Sequence, residues 1–190
     1  MSVDKRDFPF TYEDYKRITA STDERYELLD GELYIVPSPA TIHQIVSKDL
    51  QFLLEWHVRR TGCGQVLNAP LDVVLGEGAT RSVVQPDIIF ISNERLDIIE
   101  EPEIAGAPDL VVEILSPTSA QRDRQNKKAL YARSGVREYW VVDPSAKSIE
   151  VFPAAHGQFG EGTEYGLDDR LTSAVLEGFE PQLLEIFRTA

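Results

Sequence analysis

The chain has 190 residues, 42% hydrophobic and 27% charged, and a net charge of -13. That length buries a sizeable core in a single domain, and the composition excludes disordered and collagen-like chains. One cysteine excludes an internal disulfide and a cysteine-based zinc site, and the acid excess argues against a protein that coats nucleic acid.

The N-terminal stretch MSVDKRDFPFTYEDYKR is polar and lacks the apolar run of a signal peptide. No stretch approaches the roughly 20 apolar residues of a membrane span, so a cytoplasmic protein without membrane contact is expected. Thr11 reads as the N-cap of a short helix with Glu13 and Asp14 in its first turn. In RYELLDGELYIVPSP two extended runs flank Asp30-Gly31, a hairpin signal, and Pro37 and Pro39 end the second run. Ile42, Ile45, Val46, Leu50, Leu53 and Leu54 recur at helical spacing over 41–60, and Gly62 and Gly64 punctuate the end. Strands are predicted near 65–67, 71–75 and 83–91, with a turn over 76–81 and an acidic, irregular stretch over 93–104.

Residues 110–115 form a continuous apolar strand interrupted by Glu113. Ser116-Pro117-Thr118-Ser119 supplies a turn and an N-cap for a helix over 119–134 that stops at Gly135. Strands over 136–142 and 148–152 follow, then two or three short strands and an apolar segment at 183–187. The strand–helix–strand order between 109 and 142 is that of a parallel crossover. No repeat or linker divides the chain. The expectation is one α/β domain over 1–190, a mixed β-sheet flanked by helices with an N-terminal hairpin.

Charge is uneven along the chain. Residues 120–137 hold six basic residues and one acid, whereas 138–190 hold ten acids and three basic residues. The basic stretch suits either a solvated helix face or brief contact with nucleic acid.

Two acids are out of place. Asp87 lies within VVQPDIIFI and Glu113 within LVVEIL. A carboxylate in such a strand is costly to bury unless paired or bound to a metal. Either acid could sit at a strand end and pair with Arg or Lys. Together, followed by a basic helix, they suggest a shared site for a hard divalent cation. Glu27 is a third candidate, two residues from Leu29 on one face of its strand; a solvent-facing position fits equally, as it does for Glu32. Asp123 and Lys127 share a helical face that Tyr131 continues. Lys127 is then either a surface lysine tied to Asp123 or an ammonium projecting over the strand end. Lys128 points about 100° away around the helix. His43, after Pro37-Ser38-Pro39, could face the cleft as an auxiliary group, but a cap or packed side chain is the favoured reading. His57, His156 and Cys63 have no partners at ligand or triad spacing, and GxSxG, P-loop, GxGxxG and HExxH motifs are absent.

The segments YELLDGE (26–32), QPD (85–87), VEILSP (112–117), Asp123-x-x-x-Lys127 and GVREYW (135–140) occur in that order. The chain thereby resembles the Uma-type family of restriction-endonuclease-like proteins within the PD-(D/E)XK nuclease superfamily, over about residues 10–190. The resemblance implies a restriction-endonuclease-like core, DNA as substrate, and Mg²⁺ (or Mn²⁺) held by Asp87 and Glu113 with Glu27 as a further acid. One departure stands out: the lysine expected two residues after the acid is Leu115, and Lys127 on the following helix fits the role instead. The resulting expectation is a metal-dependent endonuclease, with Asp87, Glu113 and Lys127 catalytic and Arg122, Arg124, Lys128 and Arg133 on the DNA backbone. A homodimer composing a larger groove is also expected. The alternative is a nuclease-fold binding or regulatory module without catalysis.

Overall fold

The computed structural model describes residues 9–117 and 120–188. Helix α1 (Tyr12–Thr19) opens with a capping box: the Asp14 N–H donates to Thr11 Oγ1 and the Thr11 N–H to the Asp14 carboxylate. Strands β1 (Tyr26–Leu29) and β2 (Glu32–Ile35) form the hairpin, closed by Asp30 and Gly31 at φ 50° and 82°. Positive φ at both residues is what the tightest hairpin turn requires. Helix α2 (Thr41–Thr61) runs one residue beyond its expected end and stops on Gly62 in the left-handed region.

Strands β3 (Gly64–Asn68), β4 (Val73–Leu75), β5 (Ser82–Val84), β6 (Ile88–Ser92), β7 (Ile104–Ala105) and β8 (Leu110–Ile114) follow, with 3-10 turns at Gly78–Thr80 and Asn93–Ile98. Next come α3 (Ala120–Arg122), a π-helical turn (Asp123–Lys127) and α4 (Lys128–Ser134). The expected helix cap at Thr118 and Ser119 lies outside the described residues. Strands β9 (Glu138–Asp143), β10 (Ser148–Ala155), β11 (Gln158–Phe159) and β12 (Thr163–Tyr165) and helix α5 (Leu184–Phe187) complete the chain. No described helix is long and apolar enough to cross a membrane.

The strands build two sheets. The smaller has order β2-β1-β5-β4-β7; the larger has order β11-β10-β9-β8-β6-β3, with β12 also on β10. The apolar run 83–91, expected as one strand, is two strands in different sheets. Pro86 explains the break, because it has no N–H to donate to a central ladder. Gln85-Pro86-Asp87 is therefore the link by which the chain passes from one sheet to the other. The expected crossover is present: β8 and β9 pair in parallel.

The larger sheet is covered on both faces. On one side α2 and α5 bury Val46, Leu50, Leu54 and Phe187 against Ile88, Phe90, Val112 and Trp140. On the other, Ile89, Ile91, Val111 and Tyr139 meet α4 (Leu130, Tyr131) and the smaller sheet (Leu29, Val73, Leu75, Val84). Helix α1 closes the far face of the smaller sheet through Tyr15, Leu28 and Val83. The alternation of Ile88 and Phe90 with Ile89 and Ile91 gives β6 a face in each core. The antiparallel register pairs Ile88 with Val112 and Ile89 with Val111. Continued by one residue, it sets Asp87 opposite Glu113, on the face shared with Ile89 and Val111.

Candidate active site

At the end of β8, beside the sheet-crossing link, four acids and one ammonium come together. Glu113 belongs to β8, and its Oε1 accepts the Lys127 ammonium at 2.9 Å and the Tyr131 hydroxyl at 2.6 Å. Asp87 sits just ahead of β6, and its Oδ2 accepts the Ile114 N–H at 2.7 Å. The His43 Nε2 lies 3.2 Å from that same oxygen. From β1, Glu27 Oε1 accepts the Gln85 N–H at 2.9 Å and Lys127 Nζ at 2.8 Å. Asp123 Oδ1 lies 3.6 Å from Lys127 Nζ. One ammonium thus bridges both sheets and the crossover helix.

The π turn makes this convergence possible. Its wider rung carries Asp123 and Lys127 at its two ends, and Tyr131 follows one turn later. All three side chains are buried against the strand ends. Such bulges recur at functional sites because they re-aim side chains within a helix. The Tyr139 hydroxyl donates to the Asp123 carbonyl at 3.0 Å and anchors the turn to β9.

Burial and charge set the protonation of the cluster. Burial alone would raise the Glu27 carboxyl; Lys127, Arg122 and the Gln85 N–H outweigh it and hold Glu27 below its ordinary value. Glu113 goes the other way. Burial pushes it well above the carboxylate range, Lys127 pulls it back, and Asp123, Asp87 and Glu27 push it up again. Burial disfavours the Lys127 ammonium, but Glu113, Glu27 and Asp123 overcome this and raise it further, so Lys127 stays charged. Burial likewise lowers His43, and Asp87 reverses this to leave it raised. Burial first, and then the excess of acids over their cationic partners, is why Glu113 resists ionisation.

Asp87 and Glu113 each use one oxygen for their protein partners, whereas Glu27 engages both, one in hydrogen bonds and one toward Arg122. Among the described residues the second oxygen of Asp87, Glu113 and Glu27 accepts no hydrogen bond. Glu27 Oε2 is buried, with the Arg122 guanidinium 3.5 Å away. No three His, Cys, Asp or Glu side chains among the described residues converge as a ready cation cage. Free hard oxygens from two acids and a local excess of negative charge nonetheless fit Mg²⁺, which takes one or two carboxylates and completes its shell with water and phosphate. The cluster is closed at Glu27 and Lys127, whose side chains are 1% and 4% exposed, and opens at Asp87, 18% exposed.

Of the expected contacts to DNA, Arg122 borders the cluster, with its guanidinium 5.0 Å from the Tyr34 ring centroid and its Nε without a hydrogen bond. Arg124 pairs with Glu150 and Asp143. Lys128 sits 3.4 Å over the Phe152 ring, and Arg133 pairs with Asp30 on the surface. Glu32 bonds the Tyr34 hydroxyl away from the cluster. His43, expected as a cap or packed residue, instead faces Asp87. Sequence reading also left Gln85 without a part, although its N–H holds Glu27 and its side chain joins Tyr15 on Asp72 Oδ1, each at 2.9 Å. A groove of about 880 Å³ runs between Gly31, Gly76, Gly106 and Arg133, but none of the four acids lines it.

The model of the Uma2 family, described as "Putative restriction endonuclease", matches residues 12–186. An uncharacterized protein of Synechocystis sp. (strain ATCC 27184 / PCC 6803 / Kazusa) is 26% identical over 141 residues, 74% of this chain and 72% of its own. The crystal structure of a "putative nuclease" from Anabaena variabilis ATCC 29413 is similar at TM-score 0.76 and 20% identity, covering 95% of this chain and 98% of that one. That likeness shows the fold.

Proposed function

The chain belongs to the Uma2 family, and on that premise we propose that it is a metal-dependent endonuclease hydrolysing DNA phosphodiester bonds at the Asp87–Glu113 cluster. The observation that carries the reading is the pair Asp87 and Glu113, each with one oxygen committed to the protein and the other without a hydrogen bond among the described residues, in a buried site where acids outnumber cations. Asp87 and Glu113 would hold Mg²⁺ or Mn²⁺, with Glu27 behind them. When bound, such an ion lowers the pKa of water and neutralises phosphoryl oxygens.

The protein residues supply the rest. Lys127, kept charged, takes no proton and so is no general base; it fixes Glu27 and Glu113 and adds positive charge beside the scissile phosphate. Tyr131 orients Glu113, and the Ile114 N–H with His43 orients Asp87, each through one oxygen only. Arg122, 3.5 Å from Glu27 and with its Nε free of hydrogen bonds, has a donor to offer a phosphate oxygen. Arg124 reaches DNA by exchanging Glu150 and Asp143 for phosphate, and Lys128 by leaving Phe152.

Leu115 in place of the usual lysine favours the second reading, a nuclease-fold module without catalysis. Purified protein with supercoiled plasmid and Mg²⁺ or Mn²⁺ separates the two. Nicking that disappears in Asp87→Ala and Glu113→Ala is expected. An intact plasmid, with no heat of Mg²⁺ or Mn²⁺ binding by calorimetry, would overturn the enzyme reading.

A further inference from the structure

Helix α2 has two apolar faces. The inner one, Val46, Leu50, Leu54 and Val58, packs into the core. The other follows Ile42, Ile45, Asp49, Phe52, Trp56 and Arg59 in alternating steps of three and four residues, open to solvent at Ile42, Phe52, Trp56 and Arg59, half-buried at Ile45 and buried at Asp49. That is the spacing of a coiled-coil seam, whose natural partner is another helix. Ile42 is 38% exposed, Phe52 61% and Trp56 65%. The two aromatics line a shallow groove of about 450 Å³ together with Lys48, Gln51, Glu55 and Arg59. Scattered apolar residues on a surface need no explanation, but two large aromatics one turn apart on a seam do.

We propose that this seam is covered by the same seam of a second copy, α2 lying antiparallel on α2 about a two-fold axis near Phe52. The flanking charges select this occupant. Lys48 lies one turn before Phe52 and Glu55 one turn after it, so an antiparallel copy sets Lys48 against Glu55 of the partner subunit, twice. Within one chain, Lys48 pairs with Asp49 at 3.2 Å and Glu55 with Arg59 at 2.6 Å. Lys48 and Arg59 reach the surface; the Glu55–Arg59 contact is worth little there and exchanges readily, while the buried Asp49 keeps Arg188 at 3.8 Å when Lys48 turns outward. Lys48 and Arg59 flank Glu55 on the exposed stripe, and Asp49 is buried between Lys48 and Arg188, so the stripe carries no acid excess on a chain of net charge -13 and two copies meet there without the repulsion of their acidic surfaces. At roughly 150–250 Å² for a whole ring, the exposed 61% of Phe52 and 65% of Trp56 bring about 400–600 Å² of aromatic surface from two copies into the seam, and Ile42 with the flanking polar side chains supplies the rest toward the ~1,200 Å² of a small specific interface. His43 precedes Phe52 by nine residues, so the two-fold spaces the two sites about 27 Å apart along the helix axes.

Sedimentation equilibrium of the full chain at roughly 1–100 µM tests the proposal directly. The wild type is expected to dimerise, and Phe52→Glu with Trp56→Glu to remain monomeric with an unchanged circular dichroism spectrum. Lys48→Glu and Glu55→Lys should each weaken the dimer by about tenfold or more, and the double reversal should restore it, because it recreates the opposite-charge pair in the other sense. A wild type that stays monomeric overturns the proposal and leaves the seam to a different protein. So does a dimer that survives the aromatic substitutions, or one indifferent to the single charge reversals. The charge series decides the matter even if the aromatic double variant fails to fold.

Discussion

Replacing Lys127 with methionine keeps most of the buried stem and deletes the ammonium. Three buried carboxylates lose their shared partner: Glu27 at 2.8 Å, Glu113 at 2.9 Å and Asp123 at 3.6 Å. Removing one side of a buried ion pair costs about 3–5 kcal/mol, because the charge left behind is uncompensated. Two features pull the loss toward the lower end. Glu113 is already held well above the carboxylate range and escapes by taking a proton. Glu27 keeps the Gln85 N–H and the Arg122 guanidinium. The expected loss is therefore about 3 kcal/mol, or roughly 6–12 °C in Tm for a chain of this length. Urea unfolding at pH 7, followed by far-ultraviolet circular dichroism, measures it, with the slope on urea unchanged. A loss below about 1 kcal/mol would refute the reasoning, since that is the scale of an exposed lysine tied to Asp123.

The same Glu→Gln change should have opposite signs at two positions. Glu27 is held below its ordinary 4.5, so its contribution is present above that pH and lost as pH falls through the lowered value; Glu27→Gln should destabilise at pH 7. Glu113 is raised, so its contribution is present below 4.5 and lost as pH rises through the higher value; Glu113→Gln should match or exceed wild-type stability at pH 7 and flatten the decline above pH 4.5 seen in urea titrations. Equal destabilisation by both would contradict the assignment. His43→Ala should weaken Mn²⁺ binding by roughly 10–100-fold in calorimetry, as expected for a residue that orients a ligand, and His43→Gln should recover part of it. Gly31→Val should lower Tm sharply in a thermal scan, because a Cβ there would lie 2.4 Å from the Pro9 Cβ at a φ of +82°.

What could be read from the sequence were features in which one residue type has one physical solution. Asp30-Gly31 could only turn, the apolar period over 41–60 could only be an amphipathic helix, and Glu113 in an aliphatic strand had to find a partner. Asp87 was legible for the same reason, but not its setting. Its neighbours read as one strand, and Pro86 alone indicates that the chain leaves one sheet there and enters the other. His43 was not legible, because it meets Asp87 across 44 residues of chain and a histidine in the first turn of a helix reads equally as a cap. The π turn was hidden as well. Periodicity places Asp123, Lys127 and Tyr131 on one face whether the rung holds four residues or five, and the wider rung is selected by what the strands present to it.

The position of the lysine follows from that packing. A side chain two residues after Glu113 lies on the same face of the strand, and would bring an ammonium to the cluster from the sheet itself. Here that place is taken by Leu115, which packs half-buried against the core between the sheets while its N–H bonds the Val142 carbonyl. The ammonium comes from the opposite wall. Lys127 reaches Glu113 Oε1 across the gap between helix and strand, and does so beside Tyr131, which donates to the same oxygen. A lysine delivered by a strand can touch only what lies above that strand. One delivered by the crossover helix also reaches Glu27 on the smaller sheet, so in this chain the charge that serves the site also ties its two sheets together. Relocation thus carries a structural consequence that the strand position lacks, and stability and site geometry should respond together when Lys127 is changed.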